Sequence, residues 1–81
     1  MRHKKSFISS VIVLIKPEKI NAFIEKLIHI TALEIIPPNN DQEKIIVVIK
    51  AKSKELVGDY ITMMRNSNGV ISVANFHRQA Y

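Results

Sequence analysis

The sequence contains no cysteine, which rules out disulfide stapling, thiolate chemistry and cysteine-ligated metals and leaves no need for an oxidising compartment. Its only glycines, Gly58 and Gly69, stand apart, so no glycine-rich loop exists to cradle a phosphate. Long apolar runs are missing as well. Val11 to Ile15 and Ile45 to Ile49 are five residues each, far short of the roughly 20 that span a bilayer. The start, Met1-Arg2-His3-Lys4-Lys5, is basic like that of a secretory signal, but Ser9 and Ser10 interrupt the apolar stretch behind it and Lys16-Pro17 ends it. The N-terminus therefore reads as a first strand, and the expected location is the cytoplasm. His3, His29 and His77 have no metal-ligand spacing, and no spacing links a serine or carboxylate to a base. The expectation is a protein with no catalytic residues, no metal and no cofactor, which works by binding and not by catalysis.

What is present points to one small domain. The 81 residues support a single hydrophobic core, so residues 1–81 read as one domain with 1–5 as a flexible basic tail. Hydrophobic residues make up 47%, with Ile and Val foremost, which favours a sheet. The formal charge of +5 is uneven: Arg2, Lys4 and Lys5 lie in the tail, while Lys50, Lys52 and Lys54 cluster where a strand hands over to a helix. Such charge serves as a solvated rim or attracts an anionic partner.

Phe7 to Ile15 is apolar at both parities and reads as a buried central strand. Lys16-Pro17-Glu18 then starts a helix, with Pro17 in the first turn and Ile20, Phe23, Ile24, Leu27 and Ile28 as one apolar stripe. Ala32 to Ile36 is a short strand stopped by Pro37-Pro38, and Asn39 to Glu43 is a polar hairpin connection. Lys44 to Ala51 is a second central strand. Ser53 caps the next helix, whose buried stripe is Leu56, Val57, Tyr60, Ile61 and Met64; Gly69 suits a left-handed residue past its end. Val70 to His77 is the last strand, at an edge. The order βαββαβ, two βαβ units joined by a hairpin, makes an α+β ferredoxin-like sandwich: a four-stranded antiparallel sheet with two helices on one face.

The other face is left open, and it is unusually apolar. With Val11, Val13, Ile15, Ile45, Val47, Ile49, Ile71 and Val73 towards the helices, Ser10, Ile12, Leu14, Ile46, Val48, Lys50, Ser72, Ala74 and Phe76 fall outside. This set reflects β-branched strand propensity, a homodimer seam or a peptide-binding surface. RNA-recognition domains share the topology, but they stack bases on aromatics of the first and third strands. Here Ile45-Ile46-Val47-Val48-Ile49 has no aromatic and the first strand has Phe7 alone, so nucleic acid is disfavoured. A dimeric ligand-sensing or nucleic-acid-binding regulatory domain of this fold remains the alternative reading.

From Ile8 to about Gln79 the chain resembles the NapD family, cytoplasmic chaperones of the periplasmic nitrate reductase. The resemblance rests on Ser10-Val11-Ile12-Val13, Glu34, Lys44 to Ile49, Arg65-Asn66, Gly69 to Val73 and the pair Phe76-His77, in that order and spacing. It departs in having Ala32 where a glycine is usual, in meeting the aromatic-His pair about one residue early, and in being basic where familiar members are acidic. The resemblance implies a chaperone that binds the twin-arginine signal peptide of the nitrate reductase catalytic subunit and delays export until the molybdenum cofactor is installed. It further implies a peptide lying as a helix on the sheet, its apolar segment on Ile12, Leu14, Ile46, Val48 and Phe76. Ser10 and Ser72 would then serve polar groups and Glu34 an arginine.

Overall fold

The structure is a computed structural model that describes residues 6–36 and 44–76. The basic tail, Pro37-Pro38, the hairpin connection, His3 and His77 lie outside the described residues. Strand β1 (Phe7–Ile15) leads through a 3-10 turn (Pro17–Lys19) into α1 (Ile20–Leu27). Strands β2 (Leu33–Ile36) and β3 (Lys44–Ala51) follow, then α2 (Lys54–Arg65) and β4 (Val70–Phe76). The sheet has the order β2-β3-β1-β4 with every neighbouring pair antiparallel, the ferredoxin-like arrangement. The two strands read as central are the central ones.

Alternation decides which way each strand residue points. Val11, Val13 and Ile15 on β1 and Ile45, Val47 and Ile49 on β3 are fully buried. They form one cluster with Ile20, Phe23 and Leu27 of α1 and Met64 of α2, so both helices cover the same face. Burying an aliphatic side chain of this size contributes about 1.5–3 kcal/mol, and these ten side chains are the main hold on the fold. Their sequence neighbours Ile12, Leu14, Ile46 and Val48 are only half-buried, because both helices pack on the other face and no described element packs on this one.

The local signals act where the residue types place them. Lys16 is extended (φ −63°, ψ 133°), the conformation a following proline favours, and Pro17 opens the 3-10 turn. Ser53 Oγ accepts a hydrogen bond from the Leu56 N–H at 3.1 Å, capping α2. Gly69 has φ +88°, the one positive φ among the described residues, but it lies beyond the helix cap Asn66, in the turn that enters β4. Its carbonyl accepts from the Lys16 N–H at 3.0 Å, tying the end of β1 to the start of β4. A Cβ on Gly69 would overlap the Lys19 stem, 2.5 Å from Lys19 Cβ, so both conformation and space call for glycine there.

Three expected core positions are corrected. Ile71 is 63% exposed, not directed at the helices. Leu14 pairs with Ser72 but Ile15 with Val70, so Ile71 is the extra residue of a β-bulge and Val70 packs on the core in its place. Ile28 is exposed because α1 ends at Leu27 and Ile28 is its cap. Leu56 is exposed in the first turn of α2, where the helix is anchored by Val57, Tyr60 and Ile61 instead. The second strand is one residue shorter than Ala32 to Ile36, although the Ala32 carbonyl still accepts from the Lys50 N–H at 2.8 Å.

Candidate functional site: the open face of the sheet

The strand registers assemble the open face row by row. In one row Glu34 stands opposite Val48, Val48 opposite Ser10 and Ser10 opposite Phe76. In the next, Ile36, Ile46, Ile12 and Ala74 run straight across all four strands. Beyond it Lys44, Leu14 and Ser72 follow, and at the other end Lys50 faces Ile8. Cross-strand partners share a face, so Ser10, Ile12, Leu14, Glu34, Ile46, Val48 and Ser72 stand on this one face, and the register sets Phe76, the eighth residue singled out from the sequence, opposite Ser10. Two more belong with them that sequence reasoning left out. Ile8 is 60% and Ile36 44% exposed, and each shares the parity of a residue already assigned, Ser10 and Glu34.

The result is an apolar floor with polar ends. Four strands about 4.8 Å apart give a surface about 14 Å wide, enough to seat one α-helix about 10 Å across. From Ile8 to Leu14 the floor runs about 20 Å, the length of about 13 helical residues. Charge on it is sparse. Glu34 is the one carboxylate that the described registers place on this face, and its Oε1 lies 3.7 Å from Lys50 Nζ. Both side chains are more than half exposed, so the pair is weak and an incoming cation can replace the lysine.

Among the described residues the open face carries no histidine, and they hold no group of His, Cys, Asp or Glu fit to bind a metal ion. His29 sits exposed in the turn after α1. Among the described residues no helix is long and apolar enough to cross a membrane.

Comparison with known proteins gives this surface a context. The NapD family model, described as NapD protein, matches residues 7–80. Among solved structures the chain is similar to the solution structure of the E. coli Tat proofreading chaperone protein NapD, with a TM-score of 0.81. The identity is 25%, over 99% of this chain and 84% of that one. No curated protein matches. The match covers every described strand and both helices. The chain therefore belongs to the NapD family, and its role is that of a chaperone and not an enzyme.

Proposed function

We propose that this chaperone acts in the cytoplasm and binds the twin-arginine signal peptide of the periplasmic nitrate reductase catalytic subunit, delaying export until the cofactor is inserted. The observation that carries the reading is the unbroken apolar row Ile36-Ile46-Ile12-Ala74 on a surface the size of one helix. A signal peptide is an apolar helix-former preceded by arginines, so its apolar stretch fits the floor and an arginine fits Glu34. Val48 and Leu14 extend the floor on either side of that row, with Ser10, Ser72 and Phe76 towards β4. Such a peptide bound here is withheld from the export machinery by simple occupancy.

The charge of the whole chain decides which force does the holding. A net +5 repels a cationic peptide at long range, so affinity has to come from apolar burial at contact, aided by Glu34. Titration calorimetry with the nitrate reductase signal peptide tests the proposal. Binding that is weakened by Ile46→Asp and by Val48→Asp, with the fold intact, is the expected result. Variants that bind as well as the parent would place the peptide elsewhere.

A further inference from the structure

The peptide-binding reading leaves Phe7, Lys52 and Lys54 unused. Where β3 hands over to α2, Lys50, Lys52 and Lys54 are all exposed. Lys50 has Glu34 beside it, whereas Lys52 and Lys54 have no ion-pair partner among the described residues. The start of β1 lies against this corner, Phe7 paired with Ala51 and Ile8 with Lys50. Phe7 and Ile8 are 36% and 60% exposed, although both are large and apolar. With Ser9, Lys54 and Val57 they line an open cleft of about 220 Å³ between β1 and the first turn of α2.

Phe7 and Ile8 point to opposite sides of the strand end, Ile8 paired with Lys50 and the cleft lined by Lys54 next to the exposed Glu55, and such an end suits a surface met end-on. On an anionic bilayer the lysines meet headgroup phosphates while the apolar tips enter the headgroup–acyl boundary, so both parts of the patch are satisfied at once. Water satisfies only the lysines. Single-stranded nucleic acid needs aromatic platforms along the strands, and this corner has Phe7 alone, at the first position of β1. We propose that this corner docks the chaperone on anionic lipid headgroups, with Phe7 and Ile8 as the apolar contact and Lys52 and Lys54 as the principal charges. The net charge of +5, which opposes the signal peptide, thereby gains a partner that it attracts. The inference shares Ile8 with the apolar floor, but Lys52 and Lys54 lie outside it, so flotation of the lysine variant without peptide tests this proposal separately from the peptide reading.

Flotation of the full chain, without peptide, with vesicles of phosphatidylcholine alone and of mixed phosphatidylcholine and phosphatidylglycerol tests it. The protein should float with the mixed vesicles and not with the zwitterionic ones, and added salt should weaken the association. Each lysine near an anionic surface is worth about fivefold in partitioning, so the Lys52→Gln, Lys54→Gln double variant should partition about 25-fold less. Ile8→Ser should also reduce it, and circular dichroism of both variants should match the parent. Equal flotation with both vesicle types, no flotation with either, or a double variant that partitions like the parent would overturn the proposal. So would binding to a polyphosphate or an RNA homopolymer that is tighter than to the mixed vesicles and unchanged by Ile8→Ser, since the partner would then be a soluble polyanion.

Discussion

Ile45 and Ile46 are adjacent and chemically identical, yet replacing each by aspartate should have opposite consequences. Ile46 faces the open side and is only half-buried. Aspartate there costs the free protein about 1 kcal/mol or less, a strand-propensity effect, and the fold survives. In the complex the loss is larger. The part of Ile46 that the peptide would cover accounts for about half of the 1.5–3 kcal/mol of a fully buried isoleucine. A carboxylate trapped without a partner under an apolar helix adds about 1–3 kcal/mol more. The sum of about 2–4 kcal/mol weakens binding about 30- to 1,000-fold, at 1.4 kcal/mol per factor of ten. Ile45 is fully buried, so Ile45→Asp loses the whole transfer term and buries a charge that costs several kcal/mol. A domain this small has about 5 kcal/mol in all, and the variant should be unfolded at room temperature. Thermal melts by circular dichroism and calorimetry with the signal peptide read the two effects separately. An Ile46→Asp protein that melts like the parent and binds like it would refute the assignment of the open face. An Ile45→Asp protein that stays folded would refute the register itself.

Three further tests address single contacts. Glu34→Gln should weaken binding of the arginine-bearing peptide about two- to fivefold, and Lys50→Ala should strengthen it by a similar factor by removing a competitor 3.7 Å away. If Lys50→Ala has no effect or the reverse one, Glu34 does not receive the arginine. Gly69→Ala forces a Cβ into a positive φ and onto the Lys19 stem, and should destabilise the fold by about 1–3 kcal/mol in urea unfolding. A midpoint unchanged from the parent would show that the turn relaxes freely. Ser53→Ala removes the acceptor for the Leu56 N–H and should cost about 1 kcal/mol in the same assay, with peptide affinity intact.

The candidate face was legible from parity once the strands were recognised. Ser10, Ile12 and Leu14 alternate with the buried Val11, Val13 and Ile15, and Ile46 and Val48 alternate with Ile45, Val47 and Ile49. The same rule reaches Ile8 and Ile36 if it is carried to the strand ends, where weaker flanking patterns hide it. Ile71 escaped the rule because a bulge breaks alternation without changing the residue types that signal a strand.

The amino-acid order by itself determined whatever depends on a few neighbouring residues. The turn at Pro17, the cap at Ser53, the positive φ at Gly69 and the sequence of strands and helices are of this kind, since each is set within one or two turns of chain. Only the tertiary structure decided what depends on residues far apart. It set the order β2-β3-β1-β4, displaced Ile71 by pairing Val70 with Ile15, placed Lys50 beside Glu34, and brought the start of β1 against the lysines of the β3–α2 corner. Those arrangements follow from the registers in which distant strands bury the most apolar surface, which no local stretch of sequence specifies.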